Sequence, residues 1–209
     1  MRAGTWIAGL SWSHVSGGRV SLFRATLIPL LMLLFTWAVP AQAAVQISFH
    51  SRDFGTSFPH AFILFSGTLD STGEAVEGNY GFTVRHLIGP SFFFGRVQGT
   101  VLSESAEYVA GANHHFTMVV TEDQYRNVMA LIETWRSLPQ PSYSLERRNC
   151  VSFVAEVATL LGLQADTRGL MRRPKAFLDR VREQNLALID AASAAPPAPA
   201  AIEQTDTQP

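Results

Sequence analysis

Apolar and polar residues alternate through Val45-Gln-Ile-Ser-Phe-His50, the pattern of a strand with one face buried. His60-Ala-Phe-Ile-Leu-Phe65 is almost continuously apolar, which predicts a central strand. Asp70 to Glu74 is dense in turn formers, and Tyr80-Gly-Phe-Thr-Val84 follows, so these two strands are expected to form a long hairpin. Arg96 to Leu102 and His115 to Val120 supply two further strand candidates.

The period then lengthens. Thr121 with Gln124 fits a capping box, and Tyr125, Val128, Met129, Ile132 and Trp135 follow at helical spacing. They form one apolar stripe, and Pro139 and Pro141 end the helix. Asn149 is a good N-cap for a second helix, with Phe153, Val154, Val157 and Leu161 as its buried face and Gly162 as its stop. Pro174 suits the first turn of a third helix that buries Phe177, Leu178 and Val181. Five strands followed by helices predict an α+β domain whose sheet is largely antiparallel and packed on the helices.

The two ends read differently from this middle. Ala25 to Val39 is an apolar run of fifteen residues, preceded by Arg19 and Arg24 and followed by Pro40-Ala-Gln-Ala-Ala44. That order is a secretory signal peptide occupying residues 1–43, with cleavage after Ala43. The run is short for a bilayer span, which needs about 20 residues. The alternative is an uncleaved N-terminal anchor, the one membrane contact this reading allows. Residues 191–209 are small, Pro-rich and polar, too poor in apolar bulk to offset the entropy of ordering, and read as a disordered tail. The folded domain is therefore expected over 45–190, with the protein exported to the periplasm or beyond.

Composition narrows the chemistry. The 209 residues carry 16 basic and 17 acidic groups, so no basic excess argues for nucleic acid. Loss of 1–43 removes three arginines and no acid, leaving 13 basic against 17 acidic, a net −4. The single cysteine, Cys150, excludes an internal disulfide framework and any Cys-rich metal site. There is no Gly-rich phosphate loop, no GxSxG and no HExxH spacing, so no cofactor or metal is expected. Zinc is the competing use for His60, His86 and His114 or His115. Phe92-Phe93-Phe94 reads as a packed core or a cleft wall, or, if exposed, as a lipid-contacting patch.

Few residues remain as candidate catalysts. Cys150 falls at the first turn of the second helix, where free amides and the macrodipole favour a thiolate, the competent nucleophile. Its bland alternative is a small buried hydrophobe. His60, at the start of the central strand, is placed to face a helix terminus across a cleft and to carry the thiol proton. A hairpin symmetric about Gly73 sets His86 directly opposite His60, on the same face, as a third member that fixes the tautomer. Asn79 and Tyr80 are rival orienters. His114 and His115 point to opposite faces of their strand, and a solvated strand end is the simpler reading of both.

Pro59-His60-Ala-Phe-Ile-Leu-Phe65 paired with the much later Arg148-Asn149-Cys150-Val-Ser-Phe153-Val154 resembles the circularly permuted papain-like fold. That group includes the permuted NlpC-type cell-wall hydrolases and the lecithin retinol acyltransferase-like proteins, in which the His strand precedes the Cys helix. Asn-Cys-x-x-Phe-Val is typical of them, and Tyr80-Gly81-Phe82 resembles a subset of bacterial members. The likeness spans Phe58 to Leu163, about half of the chain. It implies Cys150 as nucleophile and His60 as base. It also implies a variable third polar residue, often a second histidine across the hairpin, which His86 fits. The function expected is a secreted cysteine hydrolase or acyl-transfer enzyme acting on an amide, with cell-wall (peptidoglycan) peptide as the natural substrate. A lipid ester or N-acyl amide on the same fold, or a non-catalytic envelope binding or scaffold protein, are the alternatives. Oligomeric state is not legible.

Overall fold

A computed structural model describes residues 44–53, 58–85 and 95–194. Strands β1 (Val45–Arg52), β2 (His60–Thr68), β3 (Ala75–Val84), β4 (Gly99–Leu102) and β5 (Asn113–Val120) form one antiparallel sheet in the order β4-β3-β2-β1-β5. Helices α1 (Ala106–Ala110), α2 (Glu122–Arg136), α3 (Cys150–Leu160), α4 (Pro174–Gln184) and α5 (Leu186–Ala194) complete an α+β fold.

Alternation along the strands decides which face each residue takes. Ile47 and Phe49 on β1 lie opposite Phe65 and Ile63 on β2, and all four are buried on the face covered by the long helices. Phe82, also on that face, packs 4.7 Å from Trp135 of α2, which in turn lies 5.4 Å from Phe153 of α3. The Trp135 indole N–H donates to Glu156 at 2.8 Å. This ties α2 to α3 and satisfies a polar tip carried into the core. Each fully buried Phe contributes about 1.5–3 kcal/mol of transfer free energy, so the six such rings, Phe49, Phe62, Phe65, Phe82, Phe153 and Phe177, dominate the core. Phe62 alone of the six turns to the opposite face, where Tyr108 of α1 sits 6.0 Å from it and Arg52 stacks on the Tyr108 ring.

Local chemistry sets the helix starts as the sequence indicates. Thr121 and Gln124 form the capping box of α2. Asn149 caps α3, whose Phe153, Val154 and Val157 are fully buried. Pro174 opens α4, which buries Phe177, Leu178 and Val181.

Four features depart from the sequence reading. The fourth strand is shorter, Gly99–Leu102, with Val97 making an isolated bridge to Tyr143. Two helices, α1 and α5, have no counterpart in the reading. Helix α5 continues to Ala194, four residues into the segment assigned to the tail. The β2–β3 hairpin pairs Thr68 with Ala75 and Ile63 with Tyr80, three positions away from a turn centred on Gly73. The turn closes between Leu69 and Glu74 (N–H of Leu69 to Glu74 carbonyl, 2.9 Å), and the N–H of Gly73 returns to the Leu69 carbonyl. Gly73, at φ 71°, therefore ends the turn in the left-handed region open to glycine and is not its tip. The ladder ends at Ile63 and Tyr80 and does not reach His60, so this hairpin sets no residue of β3 opposite it. His86 and Phe92–Phe94 lie outside the described residues, as do residues 1–43, where the signal peptide is expected, and residues 195–209.

Candidate functional site

The site is built where β3 changes partner. Its ladder with β2 stops at the Ile63–Tyr80 pair, and from Gly81 to Val84 it pairs with β4. His60, Ala61 and Phe62 remain laddered to β1 only. The first turn of α3 fills the resulting gap from the helix side. The N–H of Ala61, the residue after His60, is directed at the Cys150 sulfur, as are the N–H groups of Val151 and of Cys150 itself.

Asn149 fixes the geometry around that sulfur. Its side-chain oxygen accepts from the N–H of Val151 at 2.8 Å. Its amide nitrogen donates to the Leu145 carbonyl at 2.8 Å and the Met171 carbonyl at 2.6 Å. One buried side chain thus caps the helix and binds together two loops. Leu145 and Met171 from those loops, with Phe58, Pro59 and Pro174, line a cavity of about 260 Å³ onto which Cys150 opens.

Cys150 is only 4% exposed. The three amides favour its anion, but burial outweighs them and pushes the thiol up to about 11. The helix start therefore does not yield the resting thiolate that the sequence suggested. The dipole contribution is present, but the desolvation of a charged sulfur is larger.

His60 lies on the other face of the sheet, the one that Phe62 shares. Its ring lies over Phe62, with centroids 6.1 Å apart. Its Nε2 stands 2.3 Å from the point where a Gly81 Cβ would lie. Gly81 is thus an empty space that the imidazole occupies. Burial holds His60 down to about 4. Its Nε2 has no hydrogen-bond partner among the described residues, yet Glu104 Oε1 is 3.5 Å away. That separation is outside hydrogen-bond geometry for a neutral ring and close enough for an ion pair once the ring is protonated.

Glu104 was not legible as a site residue, because it follows a short edge strand and carries no motif. The structure places it through Asn79, which accepts from the Glu104 N–H at 2.6 Å and donates to the Glu104 carbonyl at 3.1 Å. Ser103 Oγ adds a bond to the Asn79 carbonyl at 2.8 Å. Burial raises the Glu104 carboxyl, partly opposed by Arg52. Asn79 therefore holds the residue beside His60 and not His60 itself. Tyr80 is on the helix face, 6.4 Å from Phe65 and under Arg136, and orients nothing at the site.

The remaining histidines separate. His114 is exposed and bonds Thr117 at 2.8 Å. His115 is not solvated as the sequence suggested. It is buried between Ser51 Oγ (2.8 Å from Nε2) and Asp179 (2.9 Å from Nδ1), because β5 turns it inward under α4. His50, unmarked by the sequence reading, bonds Ser48 at 2.9 Å and is lowered to about 4, mostly by burial. Among the described residues, no three His, Cys, Asp or Glu side chains converge to hold a metal ion. Among those residues no helix is long and apolar enough to cross a membrane.

No family model matches the chain, and no curated protein matches it. Among solved structures it is similar to the type VI secretion system effector TseH, at 14% identity over 68% of this chain and 90% of that one, with a TM-score of 0.44. The likeness is too distant to carry residues or activity across.

Proposed function

We propose that this chain is an exported cysteine-nucleophile hydrolase or acyl-transfer enzyme of the permuted papain-like kind, acting on an amide such as that of cell-wall peptide. The observation that carries the reading is the sulfur's position. Cys150 sits at a helix start, against the peptide N–H that follows His60, and opens onto a cavity. Both resting groups are neutral, a thiol and an imidazole. Attack then needs general-base transfer: His60 takes the thiol proton as the sulfur adds to the carbonyl carbon. The amides of Cys150 and Ala61 face the sulfur and stand near the oxyanion that forms. The imidazolium, beside Glu104, returns its proton to the leaving amine, and water deprotonated by His60 cleaves the thioester. Glu104 takes the third role in place of His86, because the hairpin register removes the ground for setting His86 opposite His60.

Export rests on the segment before Val45. The test needs no natural substrate. Exposed to p-nitrophenyl acetate, the wild-type protein should release a burst of p-nitrophenol and gain one acetyl group on Cys150. His60→Ala should acylate about 10²–10⁴-fold more slowly. Acylation at the wild-type rate in His60→Ala would refute the base assignment, and acetyl found elsewhere than on Cys150 would refute the nucleophile.

A second reading, a non-catalytic envelope protein on the same fold, is favoured by the burial that keeps both groups neutral. It expects no adduct on Cys150.

A further inference from the structure

The cavity beside Cys150 is walled mostly by carbon, with Tyr143 and Asn149 also in its lining, and has one charged member, Arg172. Its 260 Å³ is room for several water-sized groups and suits a short acyl group or an amino-acid side chain.

The mouth is charged unevenly. The two loops bound together by Asn149 carry Arg147, Arg148, Arg168, Arg172 and Arg173 against Glu146 and Asp166, a local positive excess in a chain of overall acidic balance. Arg172 is ion-paired with Glu146, and both side chains are more than half exposed. A pair so exposed contributes about 0–1 kcal/mol and is readily exchanged for another anion.

We propose that the Cys150 cavity receives a short, largely apolar acyl group bearing a carboxylate, which Arg172 recognises by displacing Glu146. This rests on the acyl-transfer reading of the site and names its substrate class.

Cys150 is the sole cysteine, so its alkylation reads the cavity mouth directly. The probes are iodoacetate, which is anionic, and iodoacetamide, which is neutral and nearly the same size. Their rate ratio at one pH cancels the thiolate fraction and any change in it. Arg172→Gln should lower the iodoacetate-to-iodoacetamide ratio two- to fivefold, and Glu146→Gln should raise it by a similar factor. Arg172→Lys should keep it within twofold of wild type, and 1 M salt should bring all four proteins together. An unchanged ratio in Arg172→Gln, or a fall in Glu146→Gln, overturns the proposal. The measurement involves no turnover. It can therefore fail while Cys150 still forms an acetyl adduct, and it can succeed on a protein that never acylates.

Discussion

Gly81→Ala is the sharpest test of where the His60 imidazole lies. The backbone of Gly81 is not in the left-handed region, so alanine meets no conformational objection. The added Cβ would stand 2.3 Å from His60 Nε2, 3.0 Å from its Cε1 and 3.1 Å from the Phe62 Cβ. The first of these is about 1.2 Å inside a 3.5 Å carbon contact. The ring must therefore swing away by about that much, while the Phe62 Cβ, fixed to its strand, can yield only by strain. Overpacking of this kind costs about 1–3 kcal/mol, which urea denaturation resolves. Loss of the imidazole's position should also slow Cys150 acylation about 10²-fold or more, as removal of a general base does. A double-mutant cycle isolates the contact. In a His60→Ala background Gly81→Ala should cost at least about 1 kcal/mol less than in wild type, since the atoms it strikes are gone. Equal costs in the two backgrounds would show that the ring does not occupy the space beside Gly81, and the account of the site would fall with it.

Acidification should destabilise the fold between pH 6.5 and 4. Over that range the unfolded chain protonates His60 while the folded chain, held at about 4, does not, a loss of about 3 kcal/mol once complete. Glu104, raised by burial, acts in the opposite sense and returns part of it. Denaturant midpoints measured across that range should show the slope, and His60→Gln should reduce it, leaving the part that His50, also held at about 4, contributes in the same sense. Asn149→Ala should cost about 3 kcal/mol by urea denaturation, combining a lost cap with two loop carbonyls left without their donor; a cost under 1 kcal/mol would mean the loops hold without it. Iodoacetamide labelling of Cys150 should rise toward a midpoint near 11, not below 7, and a low midpoint would restore a resting thiolate. Asp179→Asn should push the His115 imidazole further down, because the carboxylate opposes burial there; an NMR titration that moves upward would reverse that assignment.

What the sequence revealed follows the range of the physics involved. Capping at Thr121 and Asn149, Pro174 at a helix start and the alternation of β1 are decided within a few residues, and each stands in the structure at its expected place. Helix α1 has five residues and no buried member, so it leaves no apolar stripe to read. The register of the hairpin was missed because glycine marks where φ turns positive, not where a turn is centred. A shift of three residues follows from placing Gly73 at the end of the turn. Glu104 comes beside His60 only through β3 pairing with β4 and through Asn79, forty-four positions of separation that no local pattern encodes. The charge state of Cys150 was misjudged for a related reason. A helix start can be read from Asn149, but the burial that outweighs it comes from strands and loops folded over the sulfur.

These findings converge on the parting of β2 from β3. A continuous ladder would give the Ala61 N–H to β3 and close the gap into which α3 sets its first turn. A side chain at position 81 would fill the space that the imidazole takes from the other face. Burial keeps each of the two groups neutral at rest. In the proposed reaction the proton passes from one to the other, leaving the anion facing three amides and the cation beside Glu104. The burial that keeps both groups neutral is thus compatible with the proposed catalysis on one condition: sulfur and ring must exchange a proton while an acyl group in the cavity accepts the sulfur's electrons.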